Sequence, residues 1–389
     1  MHRWSRRVVE GLCLIVIVAV GAHLLTGRPS TPGSFTGTPA SASARTPVVL
    51  ADLFVPGTAW IDTTDRDAVL AAHRSEYEEA PPVLAWAGDL DRCAEGVTTT
   101  AYRAATLQRV NHYRAMAGVP AVIEEDPLLS AKAQEAALMM SAEGALTHHP
   151  GDDYACFSTV GQEAAGNSNL YLGRTGPVAI DGYIEDPGEH NNDVGHRNTI
   201  LHPPTRAMGV GDIGATEAGH AANALWVFDE HVFDENAGSG RQPLREPSRF
   251  VAWPPRGYVH ADHVYPRWSV MLAGADFRSA EVMVFDLAAG PDEDGRVPLT
   301  VVNRSGSAGH VPLPTLVWEP EVELDTSVDH AYYVVITGIA PLPSDEGVSL
   351  AASSGTIPGA IAYTVTVLGD EPGRAVALEQ VLAGVERTG

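Results

Sequence analysis

The spacing of apolar positions changes character twice along this chain. Gly11–Leu25 is a 15-residue apolar run interrupted by His23 and preceded by Arg3, Arg6 and Arg7. From about Thr98 the spacing becomes helical: Leu107, Val110, Tyr113 and Met116 recur three apart, Thr98-Thr99-Thr100 supplies a cap, and the helix is expected to end at Gly118. Asp126-Pro127 predicts a second helix, with Leu129, Ala133, Ala136 and Met140 on one face and a stop at Gly144. A short helix over Val178–Ile184 follows Pro177, and Met208–Ile213 and Ala224–Phe228 read as strands. Beyond a linker at Glu235–Pro247 the helical period vanishes. Seven β-rich runs follow: Phe250–Trp253, Trp268–Ala273, Glu281–Phe285, Val297–Val302, Thr315–Trp318, Ala331–Ile336 and Ala360–Val367, the pattern of an antiparallel sandwich.

Composition adds a compartment and removes one function class. The 389 residues carry 25 Lys+Arg against 49 Asp+Glu, a net charge of −24, with 44% hydrophobic and 19% charged residues. That length and composition suit two folded units with flanking segments, and the acidic balance argues against nucleic-acid binding. The basic start, the apolar run and Val20-Gly21-Ala22 read as a signal peptide over residues 1–27. A retained signal anchor is the alternative, although 15 residues fall short of the roughly 20 that span a bilayer. Residues 28–47, rich in Pro, Ser and Thr, form a tether, and residues 48–97 an N-terminal extension. The expected location is thus secreted or cell-envelope anchored, with membrane contact only through the N-terminal segment. Cys13 lies in the apolar run, which leaves Cys93 and Cys156 either as one disulfide or as two buried thiols.

The most polar stretch runs from Asp186 to Arg197 and includes Glu189, His190, Asn191, Asn192, Asp193 and His196. It is flanked by Tyr183-Ile184 and Ile200-Leu201, which would hold an otherwise solvated loop against the core. His148, after the second helix, joins His196 as a candidate pair, because two imidazoles with a carboxylate and water suit zinc. The two lie 48 positions apart and need the fold to bring them together. Gly209-Val210-Gly211-Asp212-Ile213-Gly214 matches a dinucleotide fingerprint, yet no helix with an apolar stripe follows, so its glycines read as part of a tightly packed strand.

In order, the middle region reads Leu107-Gln108-Arg109-Val110-Asn111-His112-Tyr113-Arg114, Leu146-Thr147-His148, Ser168-Asn169-Leu170, Gly195-His196-Arg197-Asn198-Thr199-Ile200-Leu201 and Met208-Gly209-Val210-Gly211. This series resembles the bacterial branch of the CAP superfamily (cysteine-rich secretory, antigen 5 and pathogenesis-related proteins; the SCP domain). The resemblance implies an αβα sandwich over residues 98–234 with a central cleft. The fold expectation is therefore α+β: that CAP-like sandwich, an Ig-like antiparallel β-sandwich over residues 248–370 and a C-terminal tail over 371–389. Family members present two histidines and two acidic residues in the cleft, some with a divalent metal. His148 and His196 match the histidines and Asp186 one acidic position. Where relatives carry Glu-Asn this chain reads Ser168-Asn169, and Glu163 would have to substitute. The polar residues Ser168, Asn169, His190, Asn191 and Arg197 complete the expected cleft.

Three functions follow as alternatives. One is a protein that binds a small hydrophobic ligand such as a lipid, a glycan or an envelope protein through its cleft or β-domain. The second is a zinc-dependent hydrolase that uses His148 and His196 with Asp186 or Glu163. The third is a structural envelope module.

Overall fold

The computed structural model describes residues 60–229, 250–289, 295–305, 314–324, 326–342 and 357–373. The expected signal segment, tether, linker at 235–247 and tail beyond 373 lie outside the described residues. Among the described residues no helix is long and apolar enough to cross a membrane.

The capping signals act where the sequence places them. After α1 (Arg66–Ala72), a π-helical turn (His73–Tyr77) closes a segment with no clear apolar period. In α2 (Thr100–Ala117) the Thr99 side chain accepts the Tyr102 N–H, and Gly118 ends the helix in the left-handed conformation that glycine adopts without strain. In α3 (Pro127–Glu143) Asp126 caps two amides and Gly144 stops the helix in the same way. Between them lies β1 (Glu124–Glu125), followed in order by α4 (Thr159–Gly166), β2 (Ser168–Leu172), α5 (Gly176–Glu185), α6 (Gly195–Ile200), β3 (Ala207–Ile213) and β4 (Ala222–Trp226). The strands form one sheet in the order β1-β3-β4-β2, parallel at β1–β3 and antiparallel elsewhere.

Strand alternation sends side chains to two layers. Met208, Val210, Leu225 and Val227 face a cluster that includes Val110, Tyr113, Ile180 and Tyr183 of α2 and α5. Leu170, Ile213, Ala224 and Trp226 face Ala133, Ala137 and Met140 of α3 and Ala164 of α4. This is an αβα sandwich. On the α3 side, a Cβ at Gly209 would stand 2.3 Å from the backbone carbon of Leu129, and one at Gly211 2.3 Å from that of Ala133. The glycines of the apparent dinucleotide fingerprint therefore let a helix backbone lie directly on the sheet.

The C-terminal residues form two sheets. One has the order β10-β9-β13-β15-β6, built from β6 (Gly257–Val259), β9 (Glu281–Asp286), β10 (Arg296–Val297), β13 (His330–Thr337) and β15 (Ala360–Val367). The other is β11-β12-β7-β5, from β5 (Phe250–Trp253), β7 (Trp268–Leu272), β11 (Leu299–Arg304) and β12 (Thr315–Pro320). Pairing is antiparallel except at β15–β6. A further pair, β8 (Ala275–Asp276) and β14 (Ala340–Pro341), stands outside both sheets. The core of this sandwich, including Trp253, Trp268 and Trp318, is continuous with the α2–α5 layer. Polar ties cross the same boundary: Tyr113 and Tyr265 share a 2.9 Å hydroxyl contact, and Arg66 bonds Asp329 at 2.9 Å and the Gly369 carbonyl at 2.6 Å.

Cys93 and Cys156 are disulfide-bonded across a sequence separation of 63, so the N-terminal extension is fastened to the loop before α4. Two stability predictions follow from these constraints. Replacing both cysteines by serine should cost about 4 kcal/mol, the chain-entropy value for a loop of this size. Gly211→Ala should cost on the order of 2–3 kcal/mol, because its Cβ meets backbone rather than a flexible side chain. Denaturant unfolding measures both; an unchanged midpoint would contradict the corresponding contact.

Candidate functional site

Two buried arginines place the cleft. Arg114, at the end of the Asn111–Arg114 motif, donates to the carbonyls of Pro120, Ile200, His202 and Thr205 at 2.6–3.1 Å, gathering the exposed carbonyls where α6 ends. Asn111 exchanges two 2.9 Å hydrogen bonds with the Ile123 backbone. Arg197 does for α5 what Arg114 does for α6: its Nε donates to Ile184 O at 2.7 Å and its Nη2 to Glu185 O at 3.2 Å. The Arg197 Nη1 then crosses to the β-sandwich, donating to Arg267 O at 2.8 Å and Ser269 Oγ at 3.0 Å. Burial pulls Arg197 down to about 10, against the favourable charge of Asp186, so it remains protonated at neutral pH.

Asp186 is fully buried and sits in the left-handed region at φ 54°. Its Oδ2 accepts the backbone N–H of His196 at 3.0 Å and of Arg197 at 3.3 Å, while Oδ1 lies 2.7 Å from His196 Nδ1. The carboxylate accepts, so Nδ1 carries the proton and Nε2 is the other, distal nitrogen of a ring held against Tyr183. Burial lowers the His196 pKa, but the hydrogen bond and charge of Asp186, with the charge of Asp193, outweigh it and leave the pKa raised above 6.5. His148 is oriented in the same fashion, its Nδ1 donating to Ala165 O at 2.8 Å.

His148 and His196 line one cavity of about 480 Å³ together with Ser168, Asn169, His190, Asn191, Asp193, Asn198 and Thr199. The expected polar loop thus contributes to a cleft, although its last three residues, Gly195 to Arg197, begin the helix α6. Asn169 fixes this wall by donating to His196 O at 3.2 Å and accepting from Thr199 Oγ1 at 3.0 Å. The rest of the expected ligand set is placed elsewhere. Asp186 stands behind His196, occupied by the ring and two amides. Glu163 pairs with Lys132 at 2.8 Å on the α3–α4 surface and does not line the cavity. Arg197 is structural and fully buried. Among the described residues, the one group of three His, Cys, Asp or Glu ligand atoms within 4.8 Å of one another is remote in sequence from these histidines: His73, His260 and Asp262.

The far wall comes from the β-sandwich, through Asn303, Ser305 and Thr315. The register of β11 against β12 shifts between Val301 and Asn303, a bulge that re-aims the strand at the cleft. Asn198 Nδ2 donates to Thr315 Oγ1 at 3.1 Å and joins the two walls. No local signal marks these strand residues, since an Asn or Ser near a strand end is ordinary turn chemistry.

Three buried side-chain atoms of the lining residues, Ser168 Oγ, Asn198 Oδ1 and Asn303 Nδ2, have no hydrogen-bond partner among the described residues. Each costs about 1–3 kcal/mol while unsatisfied, so these three residues hold an acceptor, a donor and a hydroxyl just behind the cleft surface.

The raised His196 pKa has a definite sign. Its pairing stabilises the fold fully below pH 6.5, the ordinary value, and that contribution is lost as pH rises through the raised one. An NMR titration should place the His196 ring above 6.5, and Asp186→Asn should move it down by leaving burial less opposed. A ring that titrates unchanged in the variant would show that the pair does not control it.

The profile of the cysteine-rich secretory protein family (CAP) matches residues 107–229. No curated protein matches the chain. The matched segment begins inside α2, ends after β4, and carries every cleft residue except the three from the β-sandwich. This segment is therefore a CAP domain, and a β-sandwich follows it in the chain.

Proposed function

We propose that this protein is an extracytoplasmic binding protein whose composite cleft takes a polyhydroxylated ligand, a glycan or glycan fragment. The observation that carries this reading is the polar lining of the cleft, in which Ser168, Asn198 and Asn303 each also hold one buried polar atom without a partner among the described residues. Vicinal hydroxyls both donate and accept, so one sugar ring can satisfy all three kinds of group. The lining around them is largely Asn, Ser, Thr and His, with Val227 and Phe228 as apolar contacts. The Cys93–Cys156 disulfide and the basic-then-apolar N-terminal pattern support a location outside the cytoplasm.

A hydrolytic reading draws on one observation, the Asp186–His196 pair, which has the form of an oriented general acid or base. A zinc-dependent version needs a third protein ligand beside His148 and His196, and Asp186 and Glu163 are both engaged elsewhere.

Binding of the full chain to an array of neutral, amino-sugar and acidic oligosaccharides tests the proposal. A glycan should be retained, and Ser168→Ala and Asn303→Ala should each weaken it by about five- to tenfold, the worth of one buried hydrogen bond. An array without a binder, or binding indifferent to both substitutions, overturns the reading. Turnover of the retained glycan, abolished by His196→Ala, would move the protein to the hydrolytic class.

A further inference from the structure

We infer that a transition-metal ion of the zinc type binds at a second place, where the N-terminal extension meets the β-sandwich, held by His73, His260 and Asp262 with Glu78 at its edge. These residues come from two separate segments. His73 opens the π-helical turn after α1 and Glu78 follows that turn. His260 and Asp262 belong to the tight turn after β6.

The distances suit an ion better than they suit the groups alone. His73 Nε2 lies 3.6 Å from Asp262 Oδ2 and 3.6 Å from Glu78 Oε1, and His260 Nδ1 lies 3.4 Å from Asp262 Oδ2. Two of these are too long for a hydrogen bond and the third is at its outer limit. Donors about 2.0–2.2 Å from a tetrahedral zinc stand roughly 3.3–3.6 Å from one another, so the observed separations approximate the edges of that tetrahedron. The donor set is also of the right kind, since imidazole with carboxylate suits zinc and its neighbours in the first transition row. Two carboxylates would offset the charge of a divalent ion.

The second observation is the state of His73. Its side chain is 3% exposed, and neither ring nitrogen has a hydrogen-bond partner among the described residues. A buried imidazole with unsatisfied nitrogens carries a cost, and a bound ion would remove it at Nε2. His260 requires two adjustments: its Nδ1 accepts the Asp262 N–H at 3.3 Å and must release it, and its ring must leave the His73 stack. Its ring is stacked on His73 at 3.6 Å with a 16° interplanar angle, so it must turn out of the stack for both lone pairs to meet at one point. Its side chain is 27% exposed and has room to do so.

An ion here would clamp α1 onto the β-sandwich beside the Arg66–Asp329 pair, which makes its role structural and separate from the cleft. The inference does not depend on the glycan reading. The test is titration of the chelator-stripped full chain with zinc chloride, followed by calorimetry, native mass spectrometry and thermal unfolding. One zinc per chain should bind and raise Tm, and the His148→Ala/His196→Ala variant should retain it. His260→Ala/Asp262→Asn should lose at least about tenfold in affinity and lose the zinc-induced rise in Tm. Asp262→Asn alone, at a side chain 57% exposed, is the control that folds, and it too should bind more weakly. Failure to bind zinc, or zinc lost only from the His148/His196 variant, overturns the site.

Discussion

Everything at the cleft depends on one buried carboxylate. Asp186 is fully excluded from solvent, yet it neutralises the N-terminus of α6, orients His196 and lies beside the buried charge of Arg197. Burying a carboxylate is expensive unless it is paired and hydrogen-bonded, and here the partners are the same groups that define the site. Its backbone takes part as well: Arg267 of the β-sandwich donates to Asp186 O and Asn191 O, both at 2.9 Å. Removing that carboxylate would release a helix end, a cleft histidine and a domain contact together.

The same economy explains the family motifs. Arg114 and Arg197 hold no ligand; each uses its planar set of donors to collect the unsatisfied carbonyls at the end of a helix, and Arg197 extends this to Ser269 across the domain boundary. Motifs that look like chemistry on the page thus work by placing His196 and Asn198 against a wall supplied by another domain. The cleft is consequently a property of both domains, with one continuous apolar core behind it.

Much of this was legible in the sequence. Threonine, aspartate and proline at α2 and α3 marked helix starts through local capping, and six of the seven β-rich runs each coincide with one strand. The other, Val297–Val302, is divided at Pro298 between β10 and β11 of different sheets. Local chemistry also distinguished Gly209 and Gly211 as packing residues. Other features were not legible because their causes are not local. The helix α6 has no apolar period of its own; Asp186, ten residues before His196, caps it from a left-handed turn. Asn303 becomes a cleft residue through a bulge and a domain contact, and Glu163 was a reasonable substitute ligand until Lys132, 31 positions away, took it. The His73–His260–Asp262 cluster joins residues about 190 positions apart in the chain.

The claim that most needs a direct test is that one ligand contacts both domains at once. Amide hydrogen exchange of the full chain, with and without a glycan retained on the array, tests it at segment resolution. The account predicts slowed exchange in two places together: the CAP segments around Ser168 and Asn198, and the β11–β12 strands around Asn303 and Thr315. Protection confined to one domain would contradict a shared cleft.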